Sequence, residues 1–220
     1  MGVKLGDTLP NFSADTSQGK IQFHDWIGDS WAILFSHPAD YTPVCTTELA
    51  EVARLVPEFQ KRGVKLIALS CDDVNSHKGW IEDIKAYGKL TEFPYPIIAD
   101  EKRALAVTLG MIDPAEKDAK GLPLTARAVF VIGPDKKLKL SILYPATTGR
   151  NFDEILRVLD SLFLTAHKKV ATPVNWKSGE PCMVLPTIKQ EEAGALFPKG
   201  VKVVDLPSGK PYLRVTPQPD

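Results

Sequence analysis

The strongest constraint on the fold is an alternation of strand-like and helix-like apolar patterns between residues 31 and 110. WAILFSH (31–37) and VKLIALS (64–70) are short unbroken apolar runs, as strands buried on both faces require. Between them Leu49, Val52, Ala53, Val56 and Phe59 recur at helical spacing, which turns one stripe of a helix toward a core. Pro57 lies inside that helix and is expected to kink it. Trp80, Ile81, Ile84 and Tyr87 mark a second helix, opened by Asn75 or Ser76. YPIIAD (95–100) reads as a third strand and KRALAVTLG (102–110) as a short helix. Strands that alternate with helices build parallel β–α–β units, so an α/β sheet is expected.

The second half completes the sheet. RAVFVI (127–132) and KLKLSILY (137–144) flank the turn GPDKK and form a hairpin. In the second strand Leu138, Leu140 and Ile142 alternate with Lys139 and Ser141, so one face is buried and the strand lies toward the sheet's edge. Asn151 with Glu154 is expected to cap a long helix carrying Phe152, Ile155, Leu156, Leu159, Leu162 and Phe163. Eight of the 18 prolines fall in the last 50 residues, where helical periodicity fades. The expected division is a first domain over 1–170 and a small, loop-rich one over 171–220.

Composition excludes several classes of function. Lys+Arg and Asp+Glu balance at 27 each, which gives a nucleic acid or anionic membrane no electrostatic hold. Apolar residues make up 44%, enough for a core, yet no apolar run approaches a membrane span. The segment MGVKLGDTLPNF lacks the apolar centre of a secretion signal, and Gly6 replaces the Ser or Thr of a myristoylation signal. A cytoplasmic protein is expected. The cysteines, Cys45, Cys71 and Cys182, are odd in number and far apart. Their spacing fits no structural zinc, and free thiols are expected in a reducing compartment.

Cys45 has the most informative setting. Thr42 and Pro43 suit the N-cap and first position of a helix. Cys45 then falls in the first turn, where free N–H groups and the helix dipole favour an anion and ease ionisation of a thiol. Pro38-x-x-x-Thr42-x-x-Cys45 matches the active-site motif of peroxiredoxins. SHPADYTPVCTTEL, TARAVFVIGPDKKLKLSILYPATTGRNFDEILRVLDSL and the tail ATPVNWKSGEPCMVLPTI together resemble the one-cysteine class, the peroxiredoxin-6 type, over nearly the whole chain. The resemblance implies a thioredoxin-like α/β fold with a small C-terminal peroxiredoxin domain that forms a dimer arm. It implies a homodimer without a cofactor that reduces hydrogen peroxide and organic, including phospholipid, hydroperoxides.

By that resemblance Cys45 is the nucleophile and passes through a sulfenic acid. Thr42 hydrogen-bonds thiolate and peroxide, Pro38 shields the site from water, and Arg127 stands against the thiolate. His37 and Arg150 match further pocket residues. Ionisation alone cannot supply the rate. Lowering any cysteine's pKa from ~8.5 to ~6 raises its thiolate fraction at pH 7 roughly 30-fold. Intrinsic nucleophilicity falls roughly 13-fold over the same interval, a net gain of about 2- to 3-fold. Alignment of the peroxide and stabilisation of the departing oxygen must provide the rest.

Glu48 stands where a thioredoxin carries its second cysteine, and Cys182 lies outside any Val-Cys-Pro motif. Cys71 and Cys182 therefore read as packed thiols. An external reductant is then required, and the resemblance implies glutathione, delivered by a glutathione S-transferase.

The same class includes phospholipases and lysophospholipid acyltransferases. Their lipase positions match His24, Ser30 and Asp135, and the acyltransferase motif matches His24-x4-Asp29. Two features oppose this reading. The family's Gly-Asp-Ser-Trp-Gly ends here in Ala32, and Ser30 precedes a strand where a nucleophile elbow would come after one. A non-catalytic thioredoxin-fold binding module is the remaining alternative; the intact Pro38, Thr42, Cys45 and Arg127 set argues against it.

Overall fold

A computed structural model describes residues 2–220. β1 (Ser13–Thr16) and β2 (Gly19–Gln22) pair as a hairpin that leads into α1 (Phe23–Ile27). β3 (Trp31–Ser36), α2 (Pro43–Lys61), β4 (Val64–Ser70), α3 (Val74–Gly88) and β5 (Ile97–Ala99) then form two consecutive parallel units. Next come α4 (Ala104–Leu109) and the short hairpin of β6 (Ile112–Lys117) and β7 (Pro123–Thr125). β8 (Arg127–Ile132) and β9 (Leu138–Tyr144) close the sheet, whose order is β2-β1-β5-β4-β3-β8-β9.

The expected β–α–β alternation is therefore present, with β8 antiparallel to β3 and β9 on the open edge. Residue patterns explain the placement. All six residues of β8 are buried, while β9 alternates and leaves Leu143 at 66% exposure. A core cluster joins Phe12, Phe23, Leu34, Ile67, Leu69 and Phe130. α2 turns Leu49, Val52, Ala53, Val56 and Phe59 inward, as its periodicity requires.

α2 contains Pro57 and continues to Lys61. Two local expectations differ. The N-cap of α3 lies two or three residues before the expected Asn75 or Ser76: it is Asp73, its carboxylate accepting the Ser76 N–H at 2.8 Å. At the head of α2, Thr42 is the N-cap by position, but its hydroxyl donates to the Ala39 carbonyl at 2.9 Å and makes no cap bond.

The described chain divides into two compact units, one ending at Asn151 and one spanning Phe152–Asp220. The second contains α5 (Phe152–His167), β10 (Val170–Ala171), β11 (Cys182–Val184), α6 (Gln190–Leu196), β12 (Lys202–Val203) and β13 (Arg214–Thr216). Its sheet is antiparallel, in the order β10-β11-β13-β12. The division falls before α5, whereas the fading of helical periodicity places it at 170. The contacts of α5 with the C-terminal segment account for the difference. Arg157 donates to the Trp176 carbonyl, Ser161 bonds Thr172, and Leu164 packs on a cluster of Val170, Trp176, Cys182, Val184, Ile188 and Phe197.

Two glycines give a test of backbone constraint. Gly110 ends α4 at φ 74°, and a Cβ there would meet the Gly2 backbone at 2.7 Å. Gly63 ends the α2–β4 turn at φ 65° with open space around it. Both alanine variants incur the left-handed cost of about 1–2 kcal/mol. Only Gly110→Ala must also displace backbone, so it is expected to be the more destabilising by ~1 kcal/mol or more. Urea unfolding of the two variants compares them; equal losses would show that the Gly2–Gly110 approach is soft.

Candidate active site

β3 ends where α2 begins, and the loop between them carries His37, Pro38, Asp40 and Thr42. Cys45 lies in the first turn of α2 and is fully buried. Thr42 and Pro43 precede it, which leaves the Val44 and Cys45 N–H groups without intrahelical acceptors. The Thr42 carbonyl accepts the Thr46 N–H at 3.0 Å and the Thr46 hydroxyl at 2.8 Å. The Trp80 indole N–H donates to Thr46 Oγ1 at 3.1 Å and ties this turn to α3.

β8 supplies the cation. It runs antiparallel to β3 and begins at Arg127, beside the end of β3. Ser36 shapes this junction: its hydroxyl donates to the Ala126 carbonyl at 2.6 Å and accepts the Ala128 N–H at 3.1 Å. The Arg127 Nη1 lies 3.3 Å from Cys45 Sγ and 2.7 Å from Glu48 Oε2. Its Nε and Nη2 are held by the Ala146 carbonyl at 3.0 and 2.6 Å.

Glu48 is the residue that sequence reasoning does not assign. It is buried on the inward stripe of α2, three residues after Cys45. Arg150 grips it with its backbone N–H at 2.7 Å, Nε at 3.0 Å and Nη2 at 2.8 Å. The Arg150 Nη1 reaches the carbonyls of Ser36 and Ala128, and its guanidinium lies over the Phe35 ring. Burial alone would raise the pKa of Glu48. Arg150, by charge and hydrogen bonds, and then Arg127 outweigh it and hold the carboxyl below its ordinary range. A charged residue inside the apolar stripe Cys45, Leu49, Val52 is the available signal.

The remaining sequence-derived residues divide into those near this centre and those elsewhere. Pro38 is buried in the β3–α2 loop. His37 is fully buried and bonds Asp40 Oδ1 through Nε2 at 2.9 Å. His37, Asp40 and Asp72 bring ligand-type atoms within 4.8 Å of one another. Hydrogen bonds from His77, Ser76, Ser70 and the Asp40 amide fill those oxygens, so the group is a hydrogen-bond network. A groove of about 480 Å³ opens beside the first turn of α2, between Tyr41, Thr42, Pro43, Thr46, Trp80 and Tyr87.

His24, Ser30 and Asp135 are not joined by hydrogen bonds. The Nε2 of His24 bonds the Leu9 carbonyl at 2.8 Å, and Asp135 is clasped by Lys139 at 2.6 Å. Ser30 lies in the turn before β3, with Asp29 exposed beside it. Lys136 donates to the Gly28 carbonyl and links the two turns without assembling a triad. Cys182 is packed in the second unit and Cys71 is partly buried. Burial raises the pKa of both thiols, that of Cys71 to about 11, so neither is an activated nucleophile.

The chain is similar to known proteins over nearly its whole length. The AhpC/TSA family matches residues 5–141, and the C-terminal domain of 1-Cys peroxiredoxin matches residues 163–200. Peroxiredoxin-6 of Gallus gallus is 67% identical, over 100% of this chain and 99% of its own. Peroxiredoxin-6 of Homo sapiens is also 67% identical, over 99% of each chain. The crystal structure of a mutant of the peroxiredoxin 6 of Arenicola marina superposes with a TM-score of 0.97 at 64% identity, covering 99% of each chain. A yeast mitochondrial 1-Cys peroxiredoxin, solved for its thiol resolving mechanism via glutathione/thioredoxin systems, gives a TM-score of 0.89 at 46% identity, covering 98% of this chain and 99% of its own. The fold is accordingly the thioredoxin-like α/β architecture with a C-terminal peroxiredoxin domain. The chain belongs to the AhpC/TSA family and, within it, to the one-cysteine peroxiredoxins of the peroxiredoxin-6 type, which are thiol peroxidases.

Proposed function

We propose that Cys45 is the peroxidatic nucleophile, that its substrates are hydrogen peroxide and organic, including phospholipid, hydroperoxides, and that glutathione resolves its sulfenic acid. The observation that carries this reading is the Arg127 guanidinium 3.3 Å from the Cys45 sulfur. The Cys45 thiolate attacks one peroxide oxygen as the O–O bond breaks. The other oxygen takes up a proton and departs as water or alcohol, leaving Cys45 as a sulfenic acid. Arg127 and the first-turn N–H groups stabilise charge on the departing oxygen. Thr42, whose hydroxyl hydrogen goes to the Ala39 carbonyl, offers its lone pairs to the O–H of the peroxide, Pro38 keeps water out, and His37 and Arg150 complete the pocket. One glutathione then displaces the sulfenic oxygen as water and forms a mixed disulfide. A second releases Cys45 and leaves as glutathione disulfide.

Several features support the wider setting. A thioredoxin-fold protein without this chemistry has no use for an arginine held against a buried sulfur by further hydrogen bonds to Glu48 and the Ala146 carbonyl. The yeast relative's glutathione/thioredoxin resolution favours the same reductant class here, with a glutathione S-transferase as carrier. The open edge of β9, with Leu143 exposed, supports a homodimer through pairing of two β9 strands. Three unpaired cysteines suit the cytoplasm, and among the described residues no helix is long and apolar enough to cross a membrane. The lipase reading has no hydrogen-bonded His24, Ser30 and Asp135 triad behind it, and peroxide reduction stands as the function.

Three outcomes test the reading. Cys45→Ser abolishes peroxide reduction, while Cys71→Ser and Cys182→Ser retain most turnover with an external thiol. Arrest of the Cys182→Ser enzyme at the sulfenic acid would overturn the one-cysteine assignment. Arg127→Ala lowers the second-order rate with peroxide on the order of 10²-fold or more, beyond what its measured thiolate fraction explains. A loss matched by the thiolate fraction alone would remove Arg127 from the transition state.

The third outcome concerns the Glu48 clamp. Its folded-state pKa is depressed, so the stability it contributes is present above the ordinary carboxylate pKa of ~4.3 and is lost as pH falls below it. Glu48→Gln leaves two buried arginines uncompensated and costs about 3 kcal/mol or more at pH 7. Urea unfolding across pH shows this gap narrowing as pH falls below the ordinary carboxylate range and wild-type Glu48 takes up its proton. A gap independent of pH would mean that the carboxylate's charge does not matter.

A further inference from the structure

Among the described residues, one buried side-chain atom has no hydrogen-bond partner: Nδ1 of His37. Buried polar atoms are nearly always paired, so the exception needs a reason. The ring is fully buried, with Trp80 at 5.1 Å and His77 at 6.4 Å between ring centroids. The groups around it decide where its proton sits.

His77, on α3, is also fully buried. Its Nδ1 lies 2.7 Å from Asp40 Oδ2, and its Nε2 lies 3.1 Å from the Ile98 carbonyl oxygen on β5. A carbonyl only accepts, and an ionised carboxylate only accepts. Both ring nitrogens of His77 must then carry hydrogen. The alternative places the proton on Asp40. Against it, Asp40 Oδ2 also accepts the Ser76 hydroxyl at 2.8 Å, and Oδ1 accepts from His37 Nε2 at 2.9 Å. Burial favours the protonated acid, but the hydrogen bonds from His37 and His77 outweigh it and hold Asp40 far below the carboxylate range. The second nearby carboxylate, Asp72, is turned to the Asp40 amide at 2.9 Å and the Ser70 hydroxyl at 2.7 Å.

With Asp40 an acceptor on both oxygens, the proton of His37 is fixed at Nε2. Burial lowers the pKa of His37 despite Asp40, so the ring stays neutral and Nδ1 keeps a lone pair. We infer that His77, donating from both ring nitrogens to Asp40 and to the Ile98 carbonyl, keeps Asp40 an acceptor on both oxygens and so holds His37 as the Nε2–H tautomer, with Nδ1 free to accept a proton-bearing oxygen of the substrate or of the sulfenic acid. Asp40 and His77 are then positioning residues, acting through His37. The use of that lone pair rests on the reading of His37 as a pocket residue.

Nitrogen-15 NMR of the reduced full-length protein tests the inference directly. Four histidines are present, His24, His37, His77 and His167, and each is assigned by through-bond correlation to its own Cβ. At pH 7.5, chosen as about one unit above the usual histidine pKa, His77 is expected to show two protonated ring nitrogens and His37 a proton on Nε2 alone. A neutral His77, or a His37 protonated at Nδ1, would overturn it. Asp40→Asn supplies the functional arm. Its NH₂ must face one of the two rings, and that ring must then offer a lone pair. The variant is expected to shift the His37 or His77 signals, lower the second-order rate with peroxide on the order of 10-fold or more, and change its pH profile. A purely structural role would lower stability and leave tautomers and pH profile as they were. The NMR result does not depend on turnover, so failure of the peroxidase reading and failure of this inference are separately visible.

Discussion

The carboxylate of Glu48 is the interaction on which the rest of the site depends. It lies buried between Arg150 and Arg127, three fixed charges summing to one positive. Two guanidiniums and a carboxylate taken out of water cost several kcal/mol each unless every lone pair is met. Here both oxygens of Glu48 are met, and the arginines spend their other N–H groups on the carbonyls of Ser36, Ala128 and Ala146. The positive charge left over is balanced when Cys45 is a thiolate. Arg127 Nη1, shared between Glu48 and the Cys45 sulfur, is where that balance is struck. A cation oriented this rigidly would have little reorganising to do in the proposed step, in which charge moves from sulfur to the departing oxygen.

Topology explains why these groups meet. In a sheet built from parallel β–α–β units, the helix after a strand begins at that strand's carboxyl end, which is where such sheets bind ligands. β3 delivers His37, Pro38 and the first turn of α2 to that end. β8 runs the other way beside β3, so it starts there and presents Arg127 as its first residue. The hydroxyl of Ser36 replaces part of the ladder between them, and Thr125 Oγ1 closes on the His37 carbonyl at 2.5 Å. The two backbones can therefore part without orphaning their polar groups.

How much the sequence reveals depends on the range of each signal. The fully buried strands β3, β4 and β8 and the striped helix α2 carry dense apolar patterns, and these are readable. The hairpins β1–β2 and β6–β7 are not, because they are short and largely polar and IDPAEK even contains a proline. Asp73 capping α3 escapes notice because several capping residue types cluster in DDVNS and only the backbone picks one. At the site, Cys45, Thr42, Pro38 and Arg127 stand out through a local motif. The grip of Arg150 on Glu48 spans 102 residues, and that of His77 on Asp40 spans 37. Neither pairing has a local pattern; only an acidic residue on an apolar stripe gives Glu48 away.

Burial of Cys45 sets two demands against each other. Its sulfur is fully buried, which would suit a small peroxide and protect a reactive sulfenic acid, but the proposed reductant, a thiol the size of a tripeptide, would need the sulfur exposed. The first turn of α2 is fastened by few bonds: Trp80 to Thr46, Thr42 to Ala39, and Arg127 to Cys45 itself. The two neutral bonds contribute about 0.5–1.5 kcal/mol each and the one from the charged Arg127 about 1.5–3, so these contacts fasten the turn by only a few kcal/mol. The heavier fastening, Glu48 to Arg150, lies one turn further along and stays in place. On the proposed function, a sulfenic acid at Cys45 would carry no negative charge, and the contact with Arg127 would weaken with it. Oxidation of Cys45 would thus loosen the turn that resolution requires to open, while the Glu48 clamp would hold the rest of the pocket in place.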